Sequence, residues 1–205
     1  NPQWRGALLD TAIVGAICMV IATTVGTLAA YGISRIRNTA WRNSAMVLFM
    51  MPLVVPYVSF GMAIYPLFAS YRLIGSYLGV GIAQSVIALP FVVITVISTI
   101  RRRDATLESA ARTLVASPVQ AFRHVVLPLL FPGIVAGAIL SFMTSFDDVI
   151  MPIFLGGSRV TTVPKAMLDA LAMSSDPSVM AASTFVSMTG LAAYLLVVFV
   201  RRQRR

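Results

Sequence analysis

The sequence has little with which to do covalent chemistry. It holds one histidine (His124), one cysteine (Cys18) and one glutamate (Glu108) in 205 residues. No catalytic residue and no metal site can be read from so sparse a set. A single cysteine can close no internal disulfide and says nothing of redox compartment. The phosphate-cradling pattern GxxxxGK[ST] is absent, so if ATP drives this protein another chain binds it. Charge is also scarce, at 11% of residues against about 25% in soluble domains. Basic, aromatic-interleaved surface of the nucleic-acid-binding type is lacking, and the net charge of +9 comes from residues at the ends of apolar runs. Strict apolar–polar alternation is missing too, which excludes a membrane β-barrel.

What is present is apolar sequence in long blocks. Hydrophobic residues make up 58% of the chain. Charge-free runs cover Thr11–Ser34, Asn43–Tyr71, Leu73–Ile100, Val125–Phe146 and Pro177–Val200, with lengths of 24, 29, 28, 22 and 24 residues. A helix needs about 20 apolar residues to cross a bilayer core, and only helices or closed barrels satisfy the backbone there. The pattern predicts an all-α polytopic bundle of five transmembrane helices near 8–33, 45–70, 75–100, 128–155 and 179–200. A signal-peptide pattern is not seen: no basic region precedes the first run, and Asp10 stands at its entrance. The chain opens at Asn1-Pro2 without methionine, and an N-terminal piece is expected to be missing.

Alternating the loops across the membrane sorts the basic residues unequally. Twelve, among them Arg35, Arg101–Arg103, Arg112, Arg123 and the C-terminal arginines, fall on one side, and four (Arg5, Arg72, Arg159, Lys165) on the other. Basic loops mark the cytoplasmic side. This places the C-terminus and the loop 101–128 in the cytoplasm and the loop 156–178 outside.

Two runs carry pathway signals. The second contains Pro52, Pro56 and Pro66 beside Tyr57, Ser59 and Tyr65. Proline removes a backbone hydrogen bond, and broken membrane helices line cavities or simply pack with a kink. Gln84 is a lone polar group in the third run, of the kind that bonds a neighbouring helix. In the fourth, Gly133 and Gly137 are spaced for close helix contact. Ser141, Thr144 and Ser145 lead to Asp147 and Asp148. Asp147 lies 18 residues past Leu129, roughly 27 Å along a straight helix, in the outer part of the membrane. Carboxylates in such a place either face a cavity, where they attract cationic cargo, or pair with loop arginines such as Arg159. The candidate substrate pathway is therefore Tyr57, Tyr65, Ser141, Thr144, Ser145, Asp147 and Asp148.

The cytoplasmic stretch 107–133 is the one long interruption between apolar segments that looks neither like a short turn nor like a membrane span. Leu107, Ala110, Ala111 and Leu114 make an apolar stripe on one helix face. Ser117-Pro118 breaks that helix, and Val119, Phe122, Val125 and Val126 form a second small face. Two amphipathic helices on the bilayer surface and a docking element for a cytoplasmic partner both fit this pattern.

The stretch LESAARTLVASPVQAFRHVVLPLLFPG resembles the EAA loop of permease subunits in binding-protein-dependent ABC importers, the MetI-like type. That signature runs Glu-Ala-Ala, three residues, Gly, nine residues, Ile, one residue, Leu-Pro. Here Ser109-Ala110-Ala111 opens it, Val115 stands at the glycine, Val125 at the isoleucine, and Leu127-Pro128 closes it. Two positions depart: Ser109 replaces the motif glutamate, with Glu108 about 100° away around a helix, and Val115 is poor at the positive φ a glycine allows. The resemblance spans the whole chain, read as one domain over 1–205. It implies six spans in such permeases, of which five are seen here. It implies that Leu107, Glu108, Ser109, Ala110, Ala111, Leu114, Val115, Leu127 and Pro128 couple to a cytoplasmic ATPase dimer. ATP and Mg would sit on that dimer, so this chain binds no cofactor and is not an enzyme. It further implies a second permease subunit, an external substrate-binding protein docked over 156–178, a bacterial inner-membrane location and no nucleic acid. Ser-Phe-Asp-Asp, Thr161-Thr162-Val163-Pro164 and Asp176-Pro177 resemble the spermidine/putrescine-type branch. Related importers of ferric complexes, anions or opine-like solutes share much of the phrasing. An ATP-independent channel or secondary transporter is the rival from another class.

Overall fold

The computed structural model describes residues 2–101, 120, 124, 126–173, 184, 187, 188, 190 and 191. Among the described residues every regular element is helical. Helix α1 (Pro2–Arg35) is the longest, at 34 residues. It is followed by α2 (Thr39–Met50), a single 3₁₀ turn over Met51–Leu53, α3 (Tyr57–Ser70) and α4 (Tyr77–Arg101). Later in the chain come α5 (Leu127–Asp147), α6 (Ile150–Leu155) and α7 (Val163–Met173).

The core is made by α1, α4 and α5, each packed on the other two. Helix α4 is the most buried of the three, as a central helix must be. Cys18, Ala22 and Ala30 of α1 meet Ala88, Val92, Val93 and Val96 of α4 and Leu130 of α5. Small residues bring these helices close. A β-carbon on Gly26 would strike Val92 at 2.7 Å, one on Gly81 would strike Ile17 at 2.5 Å, and one on Gly15 would strike Phe142 at 2.8 Å. Gly133 and Gly137 lie against Thr99 and Thr95 of α4. Helices in lipid associate through van der Waals packing of this kind, because the bilayer supplies no hydrophobic drive between them. A second cluster near the Asp10 end joins Val14, Val80, Ala83 and Ile87 to Phe68, Met151, Leu155 and Val160.

Three of the helices (α1, α4, α5) are long and apolar enough to cross a membrane, and there is a fourth span if a bent pair counts as one. The second expected span, 45–70, is that pair: α2 and the 3₁₀ turn meet α3 at 96°. The chain does not run straight there because Pro56 takes an extended conformation, with φ −59° and ψ 129°. The fourth expected span, 128–155, also differs. Its helix stops at Asp147, Asp148 is extended (φ −76°, ψ 124°), and a separate short helix follows. The expected span 179–200 and the coupling residues Leu107–Val115 lie outside the described residues, apart from a few isolated positions of the former.

At the Asp10 end two neighbouring side chains of α1 hold the start of α7. Asp10 accepts from the Thr161 amide and from the Tyr77 hydroxyl, both at 2.8 Å. Thr11 donates to the Ala7 carbonyl at 2.7 Å and accepts from the Val163 amide at 2.8 Å. Amides at a helix start have no partner inside the helix, and here α1 supplies one from 152 residues away. Asp10, read in the sequence only as a helix entrance, therefore ties α1, α4 and α7 together.

Candidate translocation site

A cavity of about 640 Å³ opens beside the junction of α5 and α6. Its wall includes Tyr57 from the start of α3, Phe91 from α4, Met143 through Ile150 (except Ser145) from the junction itself, and Ser187 and Gly190. It brings together four of the expected pathway residues: Tyr57, Thr144, Asp147 and Asp148. Three others stand apart from it. Ser141 is buried and donates to the Gly137 carbonyl at 2.8 Å. Ser145 is buried and donates to Gln84. Tyr65 is exposed two turns further along α3. The rest of the wall, Phe91, Met143 and Phe146 among it, is not among the expected pathway residues. Phe91 follows Pro90 directly, yet nothing in a uniformly apolar run sets one phenylalanine apart from its neighbours.

The two aspartates have different surroundings. Asp147 ends α5 with its side chain exposed at the cavity. Asp148 is 7% exposed. One of its oxygens accepts from the Ile150 amide at 3.0 Å, and the other accepts from the Met151 amide at 3.2 Å and from Gln84 Nε2 at 2.9 Å. Gln84 in turn accepts from the Ser145 hydroxyl and lies 3.4 Å from the Ser145 carbonyl. Among the described residues neither carboxylate forms an ion pair, with Arg159 or any other cation. Gln84 therefore does bond across to a neighbouring helix. Adjacent residues on one continuous helix would point about 100° apart; here the helix ends between them and lets one face water and the other the interior.

Leu127 and Pro128, the last residues of the EAA-like spacing, form the first turn of α5, with Pro128 at a position where a missing N–H costs nothing. Between Leu107 and Leu127 the described residues are Gln120, His124 and Val126, and His124 Nδ1 lies 3.1 Å from the Gln120 carbonyl.

The family model for binding-protein-dependent transport system inner membrane components matches residues 22–205. The chain belongs to that family. This permease is 28% identical over 224 residues to the putrescine transport permease PotI of Escherichia coli K12, covering all of this chain and 80% of PotI. It is 29% identical over 203 residues to the spermidine/putrescine permease PotC of Haemophilus influenzae, covering 96% and 76% of the two chains. It is also 33% identical over 171 residues to the molybdenum transport permease ModB of Mycobacterium tuberculosis, covering 78% and 64%. The permease fold is shared with the inward-facing MetNI methionine ABC transporter at a TM-score of 0.73 and 17% identity, over 96% of this chain and 94% of that one. The chain is thus an ABC importer permease, a membrane subunit of a kind that does not itself catalyse a reaction.

Proposed function

We propose that this permease moves polyamine-like organic cations across the bacterial inner membrane by alternating access. The observation that carries the reading is the exposure of the Asp147 carboxylate in a cavity walled by Tyr57, Phe91 and Phe146. A flexible diammonium chain needs a carboxylate for its charge, and aromatic faces attract the same charge through their quadrupoles. Apolar wall suits the methylenes between the charges. The same carboxylate repels an anionic cargo. The likeness to PotI and PotC supports the cationic reading, and Asp147 argues against the cargo class that ModB's name suggests.

In this reading the Arg35 and Arg101 end faces the cytoplasm, as does the C-terminus, and the Asp10 end faces a substrate-binding protein. A second permease subunit, identical or homologous, completes the pathway. ATP and Mg bind a separate ATPase dimer, whose closure moves the coupling stretch, with Ala110, Ala111 and Leu114 as the docking face. Leu114→Arg places a charge on that face and is expected to abolish copurification with the ATPase subunit; undiminished copurification would refute the docking role. The cargo is tested by ATPase activity of the reconstituted complex over a panel of loaded binding proteins. Stimulation by a putrescine- or spermidine-loaded binding protein is expected, and stimulation only by an anion-loaded one would overturn the assignment.

A further inference from the structure

The Asp147–Asp148 pair offers two carboxylates to one cavity, but only Asp147 is exposed there, while Asp148 is buried. Asp148 already receives three hydrogen bonds, from two backbone amides and Gln84. The amides are those of the first turn of α6, so Asp148 acts as the cap that starts this helix from outside it. Gln84 contacts both sides of the break at once: Ser145 in the last turn of α5 and Asp148 ahead of the first turn of α6. It reaches them from α4, the most buried helix of the core. A side chain that binds both sides of a break fixes the angle at which the chain crosses it.

We infer that the two aspartates divide the work: Asp147 faces the pathway, and Asp148, held by Gln84, is a positioning residue that turns the chain so that it does. The inference rests on the reading of the cavity as the cargo site, since a directed carboxylate matters only if something meets it there. Its mechanical half stands apart from cargo. Without Gln84, Asp148 keeps its amides, but the junction loses its tie to α4. The break then rotates about Asp148, and residue 147 leaves its fixed direction. With the tie intact, the Asp147 carboxylate needs no reorganisation when a cation arrives.

The test uses the complete importer in nanodiscs, with Cys18→Ser so that Asp147→Cys supplies the one thiol of this chain. The probe is the cationic thiol reagent 2-aminoethyl methanethiosulfonate, and the readout is the labelling rate of assembled complexes. The introduced thiol is expected to react fast, and Gln84→Leu to slow it by up to about a hundredfold, the scale on which an ångström of misplacement acts on reacting groups. An unchanged rate in Gln84→Leu overturns the inference. If Gln84→Leu does not assemble, Ser145→Ala carries the test: slower labelling supports the inference and an unchanged rate overturns it. Labelling involves no cargo, so failure here is distinct from failure of the cationic reading. That reading fails instead if Asp147→Asn takes up putrescine as the parent does.

Discussion

The chain breaks its helices twice on the cavity wall, by opposite means. Between α2 and α3 the break follows from what is missing. Pro52 and Pro56 have no amide to donate, Pro56 is extended, and no side chain caps α3. Around it Met51, Leu53, Val54 and Val55 are exposed apolar residues. Between α5 and α6 there is no proline at the break itself. It is held by bonds that are present: Asp148 to two amides, and Gln84 to both flanks. A break made by omission leaves the flanking segments free to be set by whatever packs against them. A break made by bonding dictates its own angle. The carboxylate-bearing wall of the cavity is of the second kind.

The largest expected effect comes from Asp148→Leu. It removes the cap of α6 and leaves the buried Gln84 amide without its charged acceptor, a loss of about 3 kcal/mol. Thermal unfolding of the purified complex, followed by helical circular dichroism, reads it, and a change within error would show that the bonded break does not hold the fold. Gln84→Leu is expected to cost less, about 2 kcal/mol, since Asp148 retains its two amides. The same melt distinguishes the two. Next is Thr11→Val, which leaves the Val163 amide without its partner and is expected to cost about 1 kcal/mol; hydrogen exchange at the start of α7 should accelerate in that variant while the core stays protected. The smallest effect is assigned to the proline break. Pro56→Ala restores an amide at an exposed position, and its stability should stay within about 0.5 kcal/mol of the parent. A loss as large as that of Asp148→Leu would erase the distinction between the breaks.

How much of this was legible in the sequence depends on where each partner lies. The C-terminal ends of α1 and α4, at Arg35 and Arg101, follow the charge-free runs closely, because arginine cannot be drawn into an apolar core without a partner, whereas α1 begins at Pro2, well before its run starts at Thr11. The glycine contacts of Gly133 and Gly137 follow from spacing within one helix. The prolines announce the break before α3, though not its angle of 96°. The break at Asp148 is only half legible: an aspartate is a common helix cap and its bonds to the Ile150 and Met151 amides are local, but Val149 to Leu155 reads as continued span and the tie to Gln84 lies 64 positions away. The role of Asp10 is hidden for the same reason: its partners Tyr77 and Thr161 are 67 and 151 positions distant. Local pattern cannot reveal a bond whose other half is elsewhere in the chain. The family spacing of residues 107–128 is the reverse case, a proposed docking role written in one contiguous segment.

The most direct measurement of the central claim is putrescine uptake into proteoliposomes bearing the full importer, comparing the parent with Asp147→Asn and Asp147→Glu. The expected result is a rise in KM of about tenfold or more for the neutral variant, since it forfeits a charge-assisted bond to the cargo, with substantial recovery in the glutamate variant. Uptake by Asp147→Asn with the parent's KM and maximal rate would contradict the claim that this carboxylate meets a cation in the pathway.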